Sequence, residues 1–258
     1  MSTDTELKRI SLIVTTLNEE ENLGRCLESA RGVGEVIVVD SMSTDTTLRI
    51  AGEYGARVFT REFVSNADQK NWALEKATLE WILILDADEY LSARLREEIA
   101  EAIMSARVNG FWIYRRNEFL GKTIRHCGWD RDRVLRLFRR GRGRYPERAV
   151  HERLDLEGEA GRLRERLEHI PYRDLEDYMD RLKSYSRKGA LELRRNGRRW
   201  FPGLVVRPCA RFLRMYLLQL GFLDGRAGLM LCYLAAVSVF FKYAWLKELS
   251  RGSPEESR

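Results

Sequence analysis

Residues 81–90, Trp81-Ile82-Leu83-Ile84-Leu85-Asp86-Ala87-Asp88-Glu89-Tyr90, carry the reading that decides the fold. A short apolar run breaks abruptly into acids. Such a run reads as a strand buried on both faces, with the acids where it leaves the sheet. In a parallel sheet that carboxyl end is where ligands bind. Asp86 and Asp88 are two apart, so extended backbone would project them to one side, where they could hold one hard cation, or a cation and a ribose. The plainer alternative is a solvated acidic turn that opens the next helix.

Working outward, Ile10–Leu17 is another β-rich run, followed by Asn18, three glutamates and the helical spacing of Leu23–Ala30. Val36–Val39 is a second buried strand that ends in Asp40, after which Ser41, Ser43, Thr44 and Asp45 supply turn and cap chemistry before Leu48–Tyr54. Val58 and Phe59 form a third, weaker strand. Strand, polar turn and helix thus alternate four times up to residue 90, the pattern of an open α/β sheet. The first, second and fourth strands end in polar groups able to face one crevice.

The segments TTLNEEENL, VIVVDSMSTDTT, QKNWAL and WILILDADEY, in this order and spacing, resemble the family 2 glycosyltransferases, which act on nucleotide-diphospho-sugars and share the GT-A fold. The resemblance covers about the first hundred residues. RLFRRG at 136–141, VHE at 150–152 and the apolar C-terminal region resemble the subgroup that includes the lipopolysaccharide core β-1,4-glucosyltransferases. The resemblance implies an α/β fold, an open, mostly parallel sheet flanked by helices, with a helical C-terminal region. It divides the chain into a catalytic domain at 1–170, with a nucleotide-sugar half (1–90) and an acceptor half (91–170), and a basic and apolar region at 171–258.

At 258 residues the chain can hold one sizeable α/β core and an appended helical region. The first nine residues carry no apolar signal-peptide core, so a cytoplasmic enzyme is expected. Cys26, Cys127, Cys209 and Cys232 lack Cys-x-x-Cys spacing, which argues against a zinc site or disulfide framework.

The net charge is +6, and its distribution matters more than its total. Between Arg187 and Arg214 stand Arg187, Lys188, Arg194, Arg195, Arg198, Arg199, Arg207, Arg211 and Arg214 against the single carboxylate Glu192. A solvated helix face normally mixes signs, so this block asks for an anionic partner. The apolar run Gly228–Phe241, shorter than the roughly twenty residues of a spanning helix, favours an anionic membrane surface over nucleic acid. The expectation is peripheral docking on the inner membrane, with Tyr216, Tyr233, Tyr243 and Trp245 as interface-favouring aromatics. The alternative is a core helix packed on the catalytic domain.

The resemblance implies roles residue by residue. Asp88 is the metal ligand, and Asp86 lies near the ribose or shares the metal, with Mg or Mn suited to an all-oxygen site. Asp40 matches the carboxylate that hydrogen-bonds uracil; its structural alternative is a helix N-cap, a task open also to Ser43 or Thr44. Thr15 and Asn18 match residues lining the base pocket. Lys70 and Asn71 match the position facing the donor, although on spacing alone Lys70 passes for an exposed helix residue. Arg136 and Arg139 could pair with phosphate through their planar forks, or form the polar side of an edge strand. Inverting transfer needs a base for the acceptor hydroxyl. Glu152 is the first choice and Asp130 the rival, with His151 an additional metal or diphosphate ligand if the chain turns there.

Together these features predict a metal-dependent, inverting hexosyltransferase using a nucleotide-sugar donor, with UDP-glucose leading, and a lipid-linked saccharide acceptor such as inner-core lipopolysaccharide. Another glycolipid or a surface polysaccharide precursor is the nearest alternative. Nucleotidylyltransfer normally places a glycine-rich basic loop where this chain has NEEEN. A non-catalytic nucleotide-binding or membrane-scaffold protein would not need Asp86, Asp88 and Glu152.

Overall fold

The computed structural model describes residues 3–146, 153–201 and 203–251. The chain divides into two compact units, 1–116 with 131–169, and 117–130 with 170–258.

In the first unit, helix α1 (Thr3–Leu7) leads into β1 (Ile10–Thr16), α2 (Leu23–Ser29), β2 (Glu35–Asp40), α3 (Thr47–Glu53), β3 (Arg57–Thr60), α4 (Asn66–Leu74), β4 (Trp81–Asp86), the short β5 (Glu89–Tyr90) and α5 (Ala93–Met104). The chain continues through β6 (Gly110–Phe119), β7 (Lys122–Thr123), which belongs to the second unit, β8 (Arg133–Arg139), the small hairpin of β9 (Gly143–Arg144) with β10 (Asp155–Leu156), and β11 (Ala160–His169). The sheet runs β3-β2-β1-β4-β8-β6-β11-β5. β1 pairs in parallel with β2 and β4, and β2 with β3. β4 with β8, β8 with β6, and β11 with β5 are antiparallel. The open sheet flanked by helices is therefore present, and it is mixed: its first half is parallel and its second half carries the antiparallel pairs.

Alternation sorts the apolar residues onto two faces. Leu12, Val14, Leu83 and Leu85 pack with Leu23 and Leu27 of α2 and Leu95 and Ile99 of α5. Ile13, Ile37, Val39, Ile82 and Ile84 pack on the other face with Ala67 and Ala73 of α4. Leu83 and Ile84 are both fully buried, as a strand covered on both faces requires. Gly34 lets the entry to β2 pass the β1 approach, since a Cβ there would stand 2.0 Å from the Lys8 carbonyl oxygen.

Register then sets the site. Thr16 pairs with Asp40, Thr15 with Asp86, and Asp40 with Thr60, so the polar ends of β1, β2 and β4 lie level at one edge.

The second unit contains α6 (Leu175–Arg195), α7 (Val206–Leu213), a π-helical turn at Arg214–Leu218 and α8 (Gly225–Arg251). Phe119, Ile124, Cys127, Tyr178, Leu182, Met215, Leu231 and Cys232 form its main core. Asp224 anchors the segment before α8 by accepting from the backbone N–H groups of Arg125 (3.1 Å) and His126 (2.9 Å).

The C-terminal helix is longer than the apolar run Gly228–Phe241 within it. α8 has 27 residues, because Lys242, Ala244, Lys247 and Glu248 are good helix formers and neither glycine nor proline interrupts them. Residues 221–250 are long and apolar enough to cross a membrane, and only 22% of their most apolar stretch is buried.

Candidate functional site

The loops leaving β1 and β2 are joined by a hydrogen-bonded zipper. The Asn18 N–H donates to Ser43 Oγ (2.8 Å), and Asn18 Oδ1 accepts from the Thr44 N–H (2.9 Å). Glu19 N–H donates to Thr47 Oγ1 (2.8 Å), and Glu20 Oε2 accepts from the Thr46 N–H (3.0 Å). Asn18 takes a φ of +53°, a left-handed conformation that asparagine tolerates better than most residues. Its side chain is thus committed to holding the two loops together.

Asp40 is completely buried. One oxygen accepts from Thr16 Oγ1 (2.9 Å) and from Ser43 Oγ, the other from the Ser43 N–H (2.7 Å). This Asx-type turn closes the end of β2. The N-cap alternative fails for Asp40, and Ser43 and Thr44 do not serve as cap either. The N-cap of α3 is Thr46, and Asp45 Oδ1 instead accepts from the Thr47 N–H (2.9 Å).

At β4 the acids separate. The strand ends at Asp86, and the chain turns at Ala87–Asp88 before β5. Lys70 Nζ donates to Asp86 Oδ1 at 2.8 Å, Arg136 pairs with Oδ2, and Arg115 Nη2 stands 3.7 Å from Oδ2. Lys70 is only 8% exposed, so it is an inward residue of α4 and not the exposed helix position its spacing suggested. Glu89, fully buried, accepts from Arg115 (2.7 Å), from Arg136 (2.9 Å) and, through its other oxygen, from the Asp86 N–H (2.9 Å). Arg115 reaches on to Asp132 (3.3 Å). Burial opposes the charge on Asp86, but Arg136, Lys70 and Arg115 outweigh it and hold the carboxyl well below the usual range. Burial likewise opposes charge on Glu89, and Arg136 and Arg115 reverse it, lowering that carboxyl too.

Arg136 corrects a second expectation. β8 is an internal strand between β4 and β6, not an edge, and Arg136 is 4% exposed. Three residues along the strand, Arg139 pairs instead with Glu80, near the opposite end of β4.

Asp88 has different company. Its Oδ2 is 3.6 Å from His169 Nε2, while Oδ1 is buried without a hydrogen-bond partner. Among the described residues no group of three or more His, Cys, Asp or Glu could hold a metal by itself. A divalent cation bound through one or two carboxylates and the substrate's phosphates needs no such cage. An orphaned buried carboxylate oxygen suits that arrangement, because leaving it unmet is costly.

Asn71 acts on the backbone. Its amide donates to the Tyr145 carbonyl (2.7 Å) and accepts from the Tyr145 N–H (2.9 Å). Tyr145 and Leu154 are buried in one apolar cluster and bracket 147–152. Glu152 and His151 lie outside the described residues. Thr15 is half-buried beside Asp86. Asp130 sits in a short 3-10 turn, Trp129–Arg131, and is the last residue of the second unit's first segment.

Sequence reasoning missed Glu89, Arg115, Asp132 and His169. Glu89 was visible as the third acid of the strand end, whereas single charged residues in RRN, RDR and EHI carry no signal by spacing.

The sequence model of glycosyl transferase family 2 matches residues 11–164. The chain belongs to this family. Family membership supports catalytic glycosyl transfer as its activity. The lipopolysaccharide core biosynthesis glycosyltransferase LpsC of Rhizobium meliloti is 31% identical over 91% of this chain and 93% of its own. An uncharacterized glycosyltransferase of Rickettsia typhi is 26% identical over 95% and 88%. The crystal structure of S. aureus TarS 1–349 in complex with UDP-GlcNAc superposes with a TM-score of 0.50 at 16% identity, covering 96% of this chain and 93% of that one, a likeness of fold.

Proposed function

We propose that this family 2 enzyme is a metal-dependent, inverting hexosyltransferase that moves a hexose, with glucose from UDP-glucose the leading donor, onto a lipid-linked saccharide of the inner-core lipopolysaccharide type. The observation that carries the donor half is the contrast at β4: Asp86 is locked by cations, while two residues on Asp88 keeps a buried oxygen without a partner. The acceptor half is supported by the extent of the similarity to LpsC, whose name assigns it to lipopolysaccharide core biosynthesis.

On this reading Thr15 and the loops that Asn18 secures and the buried Asp40 braces receive the base, and Asp86 the ribose. Asp88 would hold Mg or Mn through its unpartnered oxygen. Such an ion supplies charge stabilisation for the departing diphosphate. Lys70 and Arg136, seated beside Asp86, keep the donor crevice from becoming a purely anionic surface that would repel the diphosphate. Glu152 takes the proton of the acceptor hydroxyl, with Asp130 as the rival. His151 is the additional metal or diphosphate ligand. The base must face the attacking oxygen on the side opposite the leaving group.

The acceptor is reached at a membrane surface on the cytoplasmic side, with the enzyme peripherally attached. Support comes from α7, none of whose residues is buried, from the poorly covered α8 and from the basic block that precedes them.

Titrating UDP into protein with Mg or Mn, and again with chelator, tests the donor site. Wild type should bind only with metal, and Asp88→Asn should lose that metal-dependent increment while retaining the wild-type circular dichroism. Equal UDP affinity in both proteins under all conditions refutes the assignment.

A further inference from the structure

The second unit holds a concave surface that donor chemistry does not use. Between α7 and α8 lies a groove of about 480 Å³, walled by Cys209, Phe212 and Leu213 on one side and Tyr233, Val237 and Phe240 on the other. That volume falls within the roughly 300–1,000 Å³ of small-molecule sites. Its walls offer only one hydroxyl and one thiol as side-chain polar groups. Phe212 forms its base in an edge-to-face contact with Tyr233 (5.6 Å between centroids). Tyr233 nevertheless remains 65% exposed and Leu213 51%. A surface of this kind left open to water marks a binding site.

Charge identifies the occupant. Arg207, Arg211 and Arg214 project from the α7 segment and are exposed. From Leu193 to Lys247 the only acid is Asp224, which is 4% exposed and committed to the Arg125 and His126 backbone. A second copy of this chain pairing through the groove would face one cationic block with another, since a two-fold contact brings the same patch from both partners. A hydrocarbon chain ending in an anionic group meets no such conflict. Beyond the groove, Leu217, Leu218, Phe222 and Leu223 are also exposed, which extends the apolar surface into a tip suited to the headgroup boundary.

We propose that this groove binds one hydrocarbon chain of an anionic membrane lipid, with the headgroup paired to Arg207, Arg211 and Arg214. The inference rests on the membrane-docking reading above and deepens it from a surface to a lipid site. Insertion adds about 0.8 kcal/mol per methylene removed from water, so a chain drawn into the groove gives the attachment a part that salt does not reverse.

The test uses the full chain and phosphatidylglycerol bearing a photoactivatable group in its acyl chain. The lipid is presented in phosphatidylcholine vesicles and, separately, as a short-chain monomer, with cross-links mapped by mass spectrometry. Wild type should be labelled at groove residues in both formats, and at the Leu217–Leu223 tip in vesicles. Ala236→Trp, which fills the groove, should reduce groove labelling at least tenfold in both formats while tip labelling persists as an internal measure of folding and docking. Vesicle binding with labels confined to the tip overturns the groove and leaves docking intact. Groove labelling by the monomer without vesicle binding sustains the groove and defeats docking. Sedimentation as a dimer that Ala236→Trp dissociates, with no groove labelling, assigns the groove to a second copy and overturns the proposal.

Discussion

The buried charge cluster at the end of β4 makes a quantitative test, and Arg136→Met is the sharpest probe of it. Three carboxylates (Asp86, Glu89, Asp132) face three cations (Lys70, Arg115, Arg136). Methionine keeps much of the volume and removes one charge, leaving a negative excess shared by Glu89, which is fully buried, and Asp86, whose side chain is 34% exposed. Breaking one side of a buried pair costs about 3–5 kcal/mol. Arg115 still stands 2.7 Å from Glu89, and water reaches the 34% exposed Asp86 side chain, so the loss falls to the lower end, about 3 kcal/mol or somewhat less. The pH dependence has a definite sign. Asp86 and Glu89 titrate below their ordinary values, so in wild type their contribution is present above the unfolded carboxylate range, about pH 4, and is lost as pH falls through the folded values. Without Arg136, burial pushes the pair the other way, and a raised carboxyl destabilises increasingly as pH rises above its unfolded value. The gap between the two proteins should therefore be wide at pH 8 and narrow as pH falls toward 5. Urea unfolding followed by tryptophan fluorescence at the two pH values measures it, with the slope against urea as the check that compactness is unchanged. Adding Glu89→Gln should restore most of the loss. A deficit below about 1 kcal/mol, an equal deficit at both pH values, or a double variant no better than the single one refutes the account.

Glu152→Gln should lower turnover by roughly a hundredfold or more with UDP binding intact, and Asp130→Asn should leave turnover near wild type; the reverse pattern exchanges their roles. Asp40→Asn leaves the Ser43 N–H or a hydroxyl facing an amide, so thermal unfolding should show a loss of about 1–3 kcal/mol, and UDP titration a weaker affinity. Reversing the charges of Arg194, Arg195, Arg198 and Arg199 should cut sedimentation with anionic vesicles, each cation contributing on the order of 1 kcal/mol, while hydrolysis of soluble donor stays nearly unchanged. Retained vesicle binding in that variant would place the attachment elsewhere.

The parallel half of the fold was legible because each strand announces itself as an apolar run ended by a polar group, and Ile10–Thr16, Glu35–Asp40 and Trp81–Asp86 sit where that pattern puts them. The antiparallel half was not. RVLRLFRR carries arginines at positions that, by local pattern, belong to a wetted edge, yet β8 is internal. What makes an internal Arg136 tolerable is a pair of carboxylates about fifty residues earlier in the chain, and no local window contains both halves of that balance. The same holds for α8: composition marked its apolar centre, while its length depended on flanking lysines and glutamate continuing the helix past the apolar stretch.

Within the site, the acid triplet was legible as a group and misleading as a geometry. Two-residue periodicity puts Asp86 and Asp88 on one side only while the strand continues, and the turn at Ala87–Asp88 removes that condition. Glu89 then takes the position that organises the strand end, accepting the Asp86 N–H and drawing Arg115 and Arg136 inward. With three cations held beside it, Asp86 stays ionised and oriented, so it can meet a hydroxyl group without needing a metal to neutralise it. Asp88, one turn later and apart from those cations, keeps the oxygen that a hard cation requires. The division of labour proposed for two aspartates with identical side chains thus rests on a single chain reversal and on which arginines the antiparallel strands bring to it.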